Sequence, residues 1–72
     1  MVFKVGDVVE VIGPDITGED LGPDCFGVGA VLVVRGRNHA DKEWEYKCGY
    51  MNDDIALAVW FPETSLKLVE NS

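Results

Sequence analysis

Cys25, His39 and Cys48 have the widest chemical range in this 72-residue sequence, and their spacing restricts what they can do. Structural zinc sites draw ligands in closely spaced pairs, whereas these three are scattered and a fourth ligand is wanting. His39 lies in the polar run Gly36, Asn38, His39, Ala40, Asp41, which predicts an exposed turn. A general acid or base needs a positioned partner in a sheltered pocket, and a hairpin tip rarely provides one. Asp15, Glu19, Asp20 and Asp24 gather carboxylates of the kind hard cations prefer, but the alternating acids, central glycine and terminal glutamate of a calcium loop are missing. The glycines form no strand-to-helix phosphate loop. No catalytic group, metal or cofactor is therefore expected, and the chain reads as non-enzymatic.

Composition narrows the partner class. At this length the chain is one domain that buries only about 60% of its unfolded surface, so each aromatic counts. A hydrophobic content of 47% argues against disorder. Thirteen acidic residues against six basic ones leave a net charge of −7. Affinity for nucleic acid rests largely on clustered cations, so this balance opposes it, as it opposes an anionic membrane surface. No apolar run is long enough to span a bilayer. The opening MVFKVGDVVEV breaks into charge too soon for a signal peptide, so a cytoplasmic location is expected. In that compartment Cys25 and Cys48 read as two reduced thiols, with a disulfide as the lesser alternative.

The elements that would position these residues are strands. Ile55 to Phe61 alternates Ile55, Leu57, Val59 and Phe61 against Ala56, Ala58 and Trp60, which predicts a strand with its first set inward. Pro62 ends the pairing, Pro62 to Ser65 forms a turn with a possible single helical turn, and Leu66 to Val69 alternates again. The other strands give these two their partners. Lys4 to Ile12 is the first strand, with Val9 and Val11 inward, Phe3 and Val5 approaching the core, and Asp7 and Glu10 toward solvent. Pro14 to Gly27 is a long acidic loop rich in glycine and proline. The valine-dominated run Val28 to Arg35 predicts the central buried strand, with a bulge or close approach at Gly27 and Gly29. Lys42 to Met51 follows, with Trp44, Tyr46, Cys48 and Tyr50 inward and Glu43, Glu45 and Lys47 outward. Asn52-Asp53-Asp54 turns the chain back into Ile55. Five strands without a linker or repeat predict an all-β fold, a small bent barrel that removes its edges by near closure.

Three segments carry a family resemblance: Val5-Gly6-Asp7-Val8-Val9-Glu10-Val11, the glycine-led Gly27-Val28-Gly29-Ala30-Val31-Leu32-Val33-Val34, and the closing Trp60-Phe61-Pro62-Glu63-Thr64-Ser65-Leu66-Lys67-Leu68-Val69. With them the chain resembles the SH3-like barrel superfamily, in particular its KOW-like and Tudor-like members, over most of its length. The pattern is also similar to that of small accessory proteins encoded by bacteriophages. The resemblance implies a five-stranded barrel with a long first loop and a short helical turn before the last strand. It is nearly silent on function. KOW-like members that bind RNA carry basic loops, where this chain has Asp15, Glu19, Asp20 and Asp24. A Tudor-like aromatic cage would draw on Trp44, Tyr46, Tyr50, Trp60 and Phe61, but alternation sends several of these into the core.

Trp60 is the residue singled out. With its neighbours inward it points outward beside Ala56 and Ala58, and an exposed tryptophan is a common interface anchor. The competing expectation is that the long loop covers it. The favoured reading is a protein-interaction module that meets a basic protein surface through Trp60 and the loop acids Asp15, Glu19, Asp20 and Asp24. One alternative is an acidic mimic of nucleic acid that blocks a nucleic-acid-binding protein; another is a KOW-like RNA-binding domain. A monomer is expected, or a weak homodimer through an open sheet edge.

Overall fold

The fold is all-β, a single five-stranded antiparallel sheet. A computed structural model describes residues 3–14, 16, 18, 22–40, 43–51 and 57–70. Its strands are β1 (Val8–Val11), β2 (Val31–Arg37), β3 (Tyr46–Gly49), β4 (Val59–Phe61) and β5 (Leu66–Glu70), hydrogen-bonded in the order β4-β3-β2-β1-β5. The valine-rich segment is the central strand, as its composition predicts. The two closing strands stand at opposite ends of the sheet, β4 on β3 and β5 on β1. Among the described residues there are two single 3-10 turns, Pro23–Cys25 and Glu63–Ser65, and no α-helix. The second falls where the sequence places a helical turn.

Alternation sets the core. Val9, Val11, Leu32, Val34, Tyr46, Cys48 and Phe61 are fully enclosed, joined by Phe3, Ala30 and Leu66. Tyr46 is the largest of these, and its ring meets Phe3 edge-on at 5.1 Å between centroids. The Phe3 backbone N–H donates to the Tyr46 hydroxyl at 3.2 Å, so the buried phenol has a polar partner. Ser65 fastens the second 3-10 turn to the first loop. Its Oγ donates to Pro14 O at 2.8 Å, and Ile12 N donates to Ser65 O at 2.7 Å.

Four expectations are corrected. Asp7 is 4% exposed and not turned to solvent, because its carboxylate accepts from the Lys4 N–H at 2.9 Å and closes a tight turn. That turn leaves Val5 60% exposed, away from the core. Glu45 is 5% exposed, because it precedes β3 and its carboxylate binds the Arg37 guanidinium. Leu57 is 56% exposed; β4 begins only at Val59, so alternation imposes no inward direction on it. Ile55, Ala56, Lys42 and the turn Asn52-Asp53-Asp54 lie outside the described residues. β2 also starts later than expected, at Val31, because Val28 and Gly29 form a turn with Gly29 at φ 98°.

The bulge lies farther along the chain than Gly27 and Gly29. Val34 pairs with Cys48 but Gly36 pairs with Lys47, so Arg35 is an extra residue in β2. Its side chain crosses Gly49. A Cβ at Gly49 would fall well under 3.0 Å from both the Leu57 carbonyl oxygen and Arg35 Nε. Gly49→Ala should therefore destabilise the fold by about 1–3 kcal/mol in urea unfolding, while no loss of stability would show that Arg35 moves aside freely.

Candidate functional site

The β-ladder fixes which side chains share the outward face. Cross-strand partners point to the same side of a sheet, and on β3 and β4 the inward pair is Tyr46 with Phe61. Lys47 and Trp60, one residue on in each direction, are also partners and so project together to the opposite side. Gly36 extends this row onto β2. A Cβ built on it would lie 3.9 Å from the Lys47 Cβ, leaving the Lys47 stem bordered by bare backbone. Gly49, two residues beyond Lys47, faces the same way, and the Arg35 side chain lies over it. The outward face of β2, β3 and β4 thus carries Gly36, Lys47 and Trp60 in one row and Arg35 in the next.

Trp60 is half-buried, between the two sequence expectations. The first loop does reach β4, where the Ile16 N–H donates to the Trp60 carbonyl at 3.1 Å. That bond occupies the outer edge of β4 at one point. Ile16 itself is exposed, and its hydrogen bond is to the backbone of Trp60.

Of the four loop acids, Asp24 is described and Asp15, Glu19 and Asp20 lie outside the described residues. Asp24 is exposed on the Pro23–Cys25 turn. Tyr50 holds that turn: its hydroxyl accepts from the Phe26 N–H at 3.0 Å and donates to the Pro23 carbonyl, and its ring lies 4.8 Å from that of Phe26. Phe26 takes the left-handed backbone at φ 60° to make this contact. Tyr50 follows the end of β3, three residues past Lys47, so Asp24 sits beyond the strand end and no hydrogen bond or ion pair joins it to Trp60. Lys47 is the charged group opposite Trp60. The five aromatics of a possible cage do not converge, since Tyr46 and Phe61 are core residues and Tyr50 holds the loop.

The sequence reading missed a second charged cluster. Arg37 Nε donates to Glu45 Oε2 at 3.1 Å, Nη2 binds the same oxygen, and the guanidinium carbon stands 5.3 Å from the Tyr46 ring centre. The Glu45 hydrogen bond raises the Arg37 pKa, and burial raises that of the Tyr46 phenol. The Asn38 N–H donates to the Glu45 carbonyl at 2.8 Å, closing the base of the β2–β3 hairpin. The signal for this cluster was the eight-residue separation of Arg37 and Glu45 across a polar turn, which a hairpin brings together. A groove of about 380 Å³, lined by Phe3, Ile12, Glu63, Leu66, Lys67 and Leu68, lies beside β5.

His39 is exposed in its turn. Among the described residues no cluster of histidine, cysteine and carboxylate side chains could hold a metal ion, and no helix is long and apolar enough to cross a membrane. Comparison with family models, with curated proteins and with solved structures found no match to this chain. Its function is therefore argued from the site alone.

Both cysteines are free, Cys25 exposed and Cys48 buried. Burial pushes the Cys48 thiol up to about 12 from an ordinary 9.0. A thiol reagent on the native protein should label Cys25 rapidly and Cys48 only after unfolding. Since the unfolded thiol ionises first, folding stability should fall as the pH rises from about 9 to about 12. Cys48→Val should flatten that fall in denaturant titrations, apart from the part due to Tyr46, and an unchanged slope would remove Cys48 as its source.

Proposed function

We propose that this chain is a non-enzymatic protein-interaction module with an SH3-like barrel architecture, and that Trp60 is the anchor of its contact surface. The architecture is supported by five antiparallel strands in the order β4-β3-β2-β1-β5, a long connection after β1 and a 3-10 turn just before β5. The observation that carries the functional reading is the position of Trp60. It projects from the sheet on the side away from the core, half-exposed, beside the flexible stem of Lys47 and in line with side-chain-free Gly36. A large amphipathic ring flanked by flat backbone and a polar rim is the usual composition of an interface hot spot.

The charge of the chain supports a basic protein as the partner. A net charge of −7 attracts such a protein over a distance of several ångströms and repels polyanions. Asp24 can take part in that attraction from the exposed first loop, but at a separate place from the aromatic anchor. On this reading the approach is electrostatic and the grip is apolar, and the two belong to different parts of the surface.

The test uses the full chain as bait in a lysate of its source organism, followed by affinity measurement with each purified protein it retains. Trp60→Ala, shown by circular dichroism to remain folded, should weaken the true partner by at least about tenfold. Equal affinity of the wild type and the variant for every retained protein would remove Trp60 from the contact. Raising the salt should slow association more than it speeds dissociation.

A further inference from the structure

We infer that the outward face holding Arg35, Lys47 and Trp60 receives a protein segment that presents a carboxylate next to an apolar side chain. The inference rests on the interaction reading above and names the chemistry of the contacting segment.

Arg35 is the first ground. The bulge places it over Gly49, half-buried, with one Nη bonded to the Tyr50 carbonyl and its Nε–H buried without an acceptor. No carboxylate pairs with it among the described residues. Acids outnumber bases thirteen to six in this chain, so an internal partner was readily available. The other strand arginine, Arg37, has one: its guanidinium binds Glu45 and lies over Tyr46. A partly desolvated guanidinium without an anion is unfavourable, and an incoming carboxylate relieves it with short, charge-assisted hydrogen bonds.

Lys47 is the second ground. It projects from the same face, one row away, and also has no carboxylate partner among the described residues. Trp60 on β4, the cross-strand partner of Lys47, and half-buried Ala58 just before that strand offer apolar surface to the residue next to the carboxylate. Gly36 leaves room for a chain to lie flat against the Lys47 stem.

Charge complementarity selects a protein segment over a nucleic acid. A polyphosphate backbone needs a track of cations, whereas this face offers two among the described residues, and the net charge of the chain repels a dense polyanion. A single carboxylate fits two cations and carries little of that repulsion. A basic protein can present one, since net charge governs approach and the local pair governs register.

The test uses nitrogen-15 spectra of the full chain titrated with short capped peptides in which one leucine is flanked by glutamate, by glutamine or by lysine, and with a short single-stranded oligonucleotide. The glutamate peptide should shift the Trp60 indole and the Gly36, Lys47 and Gly49 amides, binding about three to five times more tightly than the glutamine peptide. Lys47→Glu, at an exposed position that leaves the core untouched, should reverse the preference toward the lysine peptide. Equal binding of all peptides, preference of the wild type for the lysine peptide, or no shift at Trp60 with any peptide would each overturn the inference. A stronger response to the oligonucleotide at the same residues would overturn it in favour of nucleic acid. If the partner from the bait experiment loses affinity with Trp60→Ala but is indifferent to Lys47→Glu, the interaction reading stands and this inference fails; indifference to both variants removes both.

Discussion

One extra residue in β2 governs the surface of this protein. If β2 ran unbroken, Arg35 and Arg37 would share a face and Gly36 would point into the core. The bulge at Arg35 inverts the pleat after it, so that Val34 and Arg37 lie toward the interior side while Arg35 and Gly36 lie outside. The two arginines are thereby given different surroundings. Arg37 reaches the Tyr46 ring and is neutralised by Glu45, whereas Arg35 is laid over Gly49 and keeps its charge on the outer face. The composition of β3 fits the same bulge. Gly49 is the residue beneath Arg35, and a side chain there would collide with it and with the Leu57 carbonyl.

The thin core explains why polar groups take structural work elsewhere. Among the described residues ten form the enclosed cluster, and several bonds that hold its ends come from polar atoms: Asp7 turning back on Lys4, Tyr46 meeting the Phe3 N–H, Ser65 reaching Pro14 and Tyr50 binding the Pro23–Cys25 turn. In a domain this small such bonds fix loops that the apolar area alone would hold weakly. The described parts of the first loop are tied at Pro14 by Ser65, at Ile16 by the Trp60 carbonyl and at Phe26 by Tyr50.

Strand number, the central place of the valine run and the inward set Val9, Val11, Tyr46, Cys48 and Phe61 were legible because alternation over a few residues carries that information. The outward direction of Trp60 followed from the same rule. Alternation cannot register a one-residue insertion, so the bulge and the opposed fates of Arg35 and Arg37 were invisible to it. Nor can it anticipate that a charged residue is satisfied locally, which is why Asp7 and Glu45 were assigned to solvent. Leu57 misled because the alternating pattern extends past the point where β4 begins to pair. The loop acids were legible as composition only, and composition does not place Asp24 relative to Trp60.

Charge summed over the sequence and charge met at a contact are different quantities here. At physiological ionic strength fields fade over about 8 Å, so a group touching the outward face responds chiefly to Arg35, Lys47 and Trp60, while a protein still at a distance responds to the excess of acids. On the proposed reading, a chain of net charge −7 attracts a basic protein at a distance and meets it with a locally cationic, aromatic face. The two requirements conflict only if one region must satisfy both, and among the described residues Asp24 lies beyond the end of β3 while Lys47 stands opposite Trp60. Such a division favours a partner of mixed surface over a uniformly charged one, because only a mixed surface gains from both the long-range field and the close contact.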